Sequence, residues 1–167
     1  MPVTGSSVTY EQAVHDHFTD LYRFAYWMCR NRWQAEDLAQ EALLRAWRGW
    51  PALREERAVK AWLFTIVHRE FQRANAKSAR AEPVHDADEL SVDRDPAPAV
   101  DMERALRELP DASRAALLMQ VLGGFSCSEI SAALGASEGA VMTRLTRARQ
   151  ALRRRLEVPD TFEIKQR

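Results

Sequence analysis

The sequence predicts an all-α protein: two small helical domains joined by an acidic flexible linker, the second containing a helix-turn-helix. Three observations carry this prediction. Apolar residues recur at three- and four-residue spacing along most of the chain, with no alternating apolar-polar run and no Asn-Gly hairpin signal. Between 81 and 101 the stretch AEPVHDADELSVDRDPAPAVD combines three prolines with seven acids and no sustained period, which is linker composition. Toward the C-terminus, Ser126-Cys-Ser-Glu129 reads as a capping box, and Gly135 and Ser137 follow as a helix stop and a new cap.

In the first domain, residues 1–80, Thr9 caps a helix running to about Arg30, with Ala13, His15, Phe18, Leu21, Tyr22, Ala25 and Met28 along one side. A second helix spans about Gln34 to Trp47, its stripe made of Ala35, Leu38, Ala39, Ala42, Ala46 and Trp47, and Pro51 stops it or its trailing turn. A third runs from about Val59 to Ala79, buries Trp62, Leu63, Ile66 and Val67, and ends in the basic segment Arg69, Arg73, Lys77, Arg80.

The second domain, residues 102–158, opens with a helix from Met102 to Leu109. Pro110 then serves as the first residue of a helix carrying Leu117, Leu118, Val121 and Leu122, ended by Gly123 and Gly124. The capping box starts a short helix, SEISAAL, Gly135 breaks it, and Ser137 caps the last helix. On that helix Val141, Leu145, Ala148 and Leu152 share the inward face with Ile130 and Leu134 of the helix before it, leaving Met142, Thr143, Arg144, Thr146, Arg147 and Gln150 outward. Residues 159–167 form a tail without a clear signal.

Charge sharpens the division. The 167 residues carry 24 basic and 24 acidic side chains, yet residues 1–80 and 102–167 are each +3 and residues 81–101 are −6. Two basic modules with an acidic connector suit a chain that binds a polyanion. No run of eighteen apolar residues and no N-terminal signal sequence is present, which points to a cytoplasmic protein without direct membrane insertion. Cys29 and Cys127 stand apart, and His15, His17, His68 and His85 have no nucleophile, metal-ligand spacing or phosphate-binding glycine loop beside them. The expectation is a binding protein: not an enzyme, and with neither metal nor cofactor.

Helix, Gly-containing turn and longer helix make a helix-turn-helix, whose second helix enters the DNA major groove. Arginine suits that position, because its planar fork grips guanine at two points or holds a phosphate. Arg153, Arg154 and Arg155 fit equally a solvated basic end that favours the helix dipole. In the first domain Asp37, Gln40, Glu41, Leu44 and Arg48 share a polar face of the second helix, read either as solvated or, from Leu44, as a docking surface. The third helix interleaves Trp62, Phe64 and Phe71 with Lys60, His68, Arg69, Arg73 and Lys77, so its aromatics are either core or a platform for unpaired bases.

Nearly the whole chain resembles the bacterial sigma factors, in particular the extracytoplasmic-function (ECF) group of the sigma-70 family. AEDLAQEALLRAWR followed by AWLFTIV is similar to the family's region 2, and LRELPDASRAALLMQVLGGFSCSEISAALGASEGAVMTRLTRARQAL to its region 4. The resemblance implies core RNA polymerase as a partner, its β′ clamp helices meeting Asp37, Gln40, Glu41, Leu44 and Arg48, and its β flap meeting the second domain. It implies promoter DNA as well: a melted minus-ten strand against Arg57, Lys60, Trp62, Arg69 and Arg73, and a minus-thirty-five element against Arg114, Ser137, Met142, Thr143, Arg144, Thr146 and Arg147. An anti-sigma factor is the further implied partner, which would hold the chain in the cytoplasm or at the inner membrane. Two positions depart from the family pattern. Arg69 stands where WLYRIARN has its asparagine, and Met142 where GTVRSR or GTVKSR has a basic residue. The residues alone also fit a second function, a stand-alone helix-turn-helix regulator whose first module serves dimerisation.

Overall fold

The computed structural model describes residues 8–80 and 96–156, which hold seven α-helices, two 3-10 turns and no strand. Helix α1 (Tyr10–Cys29) starts where the Thr9 hydroxyl accepts the Gln12 N–H at 3.2 Å, and α2 (Arg32–Gly49) where the Asn31 carbonyl side chain accepts that of Gln34 at 3.1 Å. Each cap satisfies a first-turn N–H that has no partner within its helix. Between α1 and α2 the chain turns on Arg30, which adopts left-handed geometry at φ 59°, a conformation costly for a residue with a Cβ. Its N–H bonds the Tyr26 carbonyl at 2.7 Å, and its guanidinium lies 4.5 Å from the Trp27 ring and 4.9 Å from that of Tyr26 while pairing with Glu103.

Two 3-10 turns, Trp50–Ala52 and Glu56–Ala58, lead to α3 (Val59–Arg80). Helices α1, α2 and α3 pack on one another around Leu21, Phe24, Met28, Leu38, Leu63, Phe64 and Val67. The alanine stripe of α2 is buried as expected, and its small side chains let the neighbouring backbones approach. Several residues differ from expectation, Trp62 and Ile66 being half-buried rather than buried. Trp47 is 56% exposed, its ring set edge-on to Tyr10 at 5.1 Å, and Phe18 and His15 also face outward. Phe24, assigned to no face beforehand, is fully buried 5.2 Å from Phe64.

Helix α4 (Pro96–Arg107) begins six residues earlier than the sequence suggests, because Pro96 and Pro98 fall in its first turn, where no intrahelical N–H bond is lost. The last six residues of the acidic strip are therefore helical. Residues 81–95 lie outside the described residues, as do 1–7 and 157–167, the tail included.

Pro110 is the residue before α5 (Asp111–Gly123) rather than its first, and Gly124 closes that helix at φ 70°. Five successive side chains of α5, Ala115 to Met119, are buried, since α7 covers one side of the helix and α1 the other. In α6 (Cys127–Leu134) the capping box forms both ways: Ser126 Oγ accepts the Glu129 N–H at 3.2 Å, and Glu129 Oε2 accepts the Ser126 N–H at 2.8 Å. Gly135 follows at φ 62°, and Ser137 Oγ accepts the Ala140 N–H to open α7 (Glu138–Leu156). Val141, Leu145 and Ala148 are buried with Ile130, and Leu152 and Leu134 are half-buried, the inward face the spacing assigned.

The two helical groups meet across α1–α5, α3–α5 and α3–α6. Phe125 sets its edge to Phe64 at 5.1 Å, so apolar packing is continuous from one to the other. No described helix is long and apolar enough to cross a membrane.

Candidate nucleic-acid and partner interfaces

Helix α2 turns Asp37, Gln40, Leu44 and Arg48 outward at spacings of three and four, which place them along one exposed face. Leu44 is 52% exposed within that polar row. Trp33, one turn before Asp37, is exposed as well and extends the row toward the N-terminus. Sequence reasoning passed over Trp33, although its place four residues before Asp37 was the available signal. Glu41 is half-buried because its Oε1 lies 3.3 Å from Arg45 Nε.

The second candidate surface starts where α2 gives way to the 3-10 turns. Gly49, Ala52, Leu53, Arg54, Glu55, Ala58 and Trp62 line an open cavity of about 310 Å³. Trp62 is half-buried and forms one wall, its ring 6.2 Å from Trp50 and so close to Gly49 that a Cβ there would sit 3.0 Å from Trp62 Cζ2. An indole edge at the mouth of a cavity is a place for a planar group to stack. Arg57 on the second 3-10 turn and Arg69 on α3 are exposed. Arg73 is exposed too, with Nη1 2.6 Å from Glu70 Oε1. Lys60 is differently placed: its ammonium donates to the Gly123 carbonyl at 2.8 Å, so the C-terminus of α5 holds this cation.

On α7 the outward set is Met142, Thr143, Thr146 and Arg147, with Ser137 exposed at the cap. Met142 is 58% exposed, an apolar tip among hydroxyls and arginine. The Thr143 hydroxyl donates to the Gly139 carbonyl at 2.9 Å, turning its methyl away from that bond. Arg144 is half-buried and joins His68, Phe71, Gln72, Asn75, Asp111, Ala112 and Leu134 around a cavity of about 330 Å³ where α3 faces the helix-turn-helix. His68 is buried on that wall, and its pKa is lowered, by burial first and by Arg69 to a smaller degree, against the pull of Asp111.

Arg114, which the resemblance assigns to the DNA-reading set, stands apart from these groups. It is 6% exposed, and its guanidinium donates to Asp111 Oδ1 at 2.7 Å, to the Met28 carbonyl at 3.0 Å and to the Leu109 carbonyl at 3.3 Å. Met28 lies in the last turn of α1, where carbonyls lack helical partners and carry the negative end of the dipole, so a cation from the other helical group serves as its cap. In this arrangement the Arg114 guanidinium is engaged by protein acceptors. Among the described residues no group of three or more His, Cys, Asp or Glu is gathered to hold a metal ion.

Comparison with known proteins places the same two segments. Residues 13–81 match the family model for sigma-70 region 2, and residues 99–152 that for sigma-70 region 4. The chain is 34% identical to the ECF RNA polymerase sigma factor SigM of Mycobacterium tuberculosis, over 92% of this chain and 80% of that protein. It is 31% identical to SigL of the same species, over 87% and 88%. Among solved structures, the sigma factor RpoE of Bartonella quintana, crystallised with the anti-sigma factor NepR, superimposes with a TM-score of 0.75 at 28% identity, covering 90% of this chain and 98% of that one.

Proposed function

This chain belongs to the ECF RNA polymerase sigma factors, and from that premise we propose how its surfaces divide the work of an alternative sigma factor that directs transcription initiation under the control of an anti-sigma factor. The exposed face of α2, with Asp37, Gln40, Glu41, Leu44 and Arg48, docks on the β′ clamp helices of core polymerase. The outward face of α7, capped by Ser137 and presenting Met142, Thr143, Thr146 and Arg147, reads the minus-thirty-five element from the major groove. The cavity beside Trp62, with Arg57 on the adjoining 3-10 turn and Arg69 and Arg73 farther along α3, receives the melted minus-ten strand, where the indole stacks a base and the arginines meet phosphates. Arg144 and Lys60 join these surfaces once α3 and the helix-turn-helix move apart. The protein supplies binding energy and no catalytic group.

The observation that carries this reading is the exposure of both faces on one chain: a polar, leucine-bearing face of α2 within the region 2 match and the outward face of α7 within the region 4 match. Met142 meets the groove without a hydrogen-bond donor, so its partner there is apolar surface such as a thymine methyl. Control by an anti-sigma factor is supported by the likeness to RpoE, solved with NepR. Run-off transcription with core polymerase on a promoter library tests the reading. Promoter-dependent transcripts are expected from the wild-type chain and their loss from Asp37→Ala. Absence of any such product with the wild-type chain overturns it.

A further inference from the structure

Glu70 is the only acid in the 22 residues of α3 and the only buried acid among the described residues, at 6% exposure. A carboxylate so far from water persists only when cations satisfy it. Two do, and both use the same oxygen. Arg45 Nε on α2 lies 2.5 Å from Glu70 Oε1, and Arg73 Nη1 on α3 lies 2.6 Å from it. The Arg45 Nε group is itself shared, since Glu41 Oε1 stands 3.3 Å away on the other side. Four alternating charges, Glu41, Arg45, Glu70 and Arg73, thus run from the exposed face of α2 to the exposed face of α3.

We propose that Glu70 is a positioning residue that couples polymerase docking to promoter-strand binding, through Arg45 on one side and Arg73 on the other. The proposal rests on the reading that Glu41 docks on polymerase and Arg73 meets the promoter strand. Arg45 is a cation between two carboxylates and Glu70 an anion between two guanidiniums, so a shift of either toward one partner weakens its attraction to the other. When a polymerase cation takes Glu41, Arg45 turns wholly to Glu70 and loosens the hold of that carboxylate on Arg73, which then swings to a phosphate. When a phosphate takes Arg73, Glu70 is left to Arg45, and Glu41 is freed for its partner. The two events favour each other by the same factor in either direction. Arg45 is 41% exposed and Arg73 56%, so solvent screens the chain and the factor is modest, about two- to five-fold.

The test is a double-mutant cycle on complete holoenzyme, with Glu41→Gln and Arg73→Gln made singly and together. Affinity for core polymerase and for a promoter with an unpaired minus-ten strand is measured for each. In the wild-type background the two substitutions should be non-additive by that two- to five-fold factor. In a Glu70→Gln background, which keeps side-chain volume and loses the charge, they should become additive. Arg45→Gln, which leaves the buried acid its Arg73 partner, should have the same effect if Glu70→Gln does not fold. Non-additivity that survives both substitutions overturns the proposal. So does additivity in the wild type where Glu41→Gln weakens polymerase binding and Arg73→Gln weakens promoter binding, an outcome that leaves the docking assignment standing. Single substitutions that change neither affinity overturn the docking assignment and the coupling together.

Discussion

Arg114 and Glu70 invert the usual rule that charged side chains stay at the surface, and each does so with one partner from its own helix and another from a neighbouring one. For Arg114 the acceptors that matter are a carboxylate in its own helix and a carbonyl at the end of α1. Hydrogen bonds from a charged donor contribute about 1.5 to 3 kcal/mol each when buried. Arg114→Met, similar in length but unable to donate, should therefore destabilise the protein by about 2 kcal/mol in urea denaturation. A loss below about 0.5 kcal/mol would mean that water replaces these bonds. Arg114 also marks the limit of what its sequence neighbourhood conveys. The local grammar around it is that of a helix start, which fits a phosphate-gripping arginine as well as a buried one. Its Met28 acceptor lies 86 residues away, and no periodicity encodes that approach.

Local grammar serves the helices far better, because caps and turns are made among residues three to five apart. The Ser126–Glu129 capping box formed as written, and the stops at Gly124 and Gly135 are in the left-handed region where glycine avoids a steric penalty. Replacing either signal gives an element-scale prediction. Ser126→Ala should cost about 1 kcal/mol, and Gly135→Ala about 1 to 2 kcal/mol, read as shifts of the urea midpoint at unchanged slope. A neutral Gly135→Ala would indicate that the turn between α6 and α7 can adopt another conformation. The faces of helices were legible where the stripe was made of small residues, as in α2, and less so where aromatics were involved. Trp47 fits the apolar stripe by spacing but ends exposed, because its broad ring rests edge-on against Tyr10 instead of entering the space the alanines leave. The outward rows of α2 and α7 were approachable from spacing, whereas the cavity beside Trp62, walled by residues of the 3-10 turns, was not. Glu70 was not singled out, although a lone acid in a basic helix is a signal of a specific partner.

At the scale of the whole molecule, the junction between the helical groups should be sensitive to acid. His68 is buried there with Asp111 and Arg144 around the same cavity, and burial holds its pKa below the ordinary histidine value. A folded-state pKa below the unfolded one means that the unfolded chain binds more protons as pH falls, so the stabilisation is complete above about pH 6.5 and declines below it. Thermal unfolding should accordingly show a lower Tm at pH 5.5 than at pH 7.5, with the difference reduced in His68→Gln. His17, half-buried near Lys60, is shifted the same way and keeps part of the slope. The shift at Glu129 is also downward, from the Ser126 bonds, but its contribution declines only as pH falls into and below the ordinary carboxylate range. An equal pH dependence in wild type and His68→Gln would remove the histidine from the junction's energetics.

The bond from Arg114 to the last turn of α1 also sets an order of events during synthesis. A ribosome adds about 5 to 20 residues per second, so the 86 residues between Met28 and Arg114 separate their emergence by about 4 to 17 s. Helices α1 to α3 are complete within that interval, before Phe125 is available to cover Phe64. Any packing of α1 to α3 in that interval leaves the last carbonyls of α1 open to water, and their capping by Arg114 can begin only after α5 has cleared the exit tunnel.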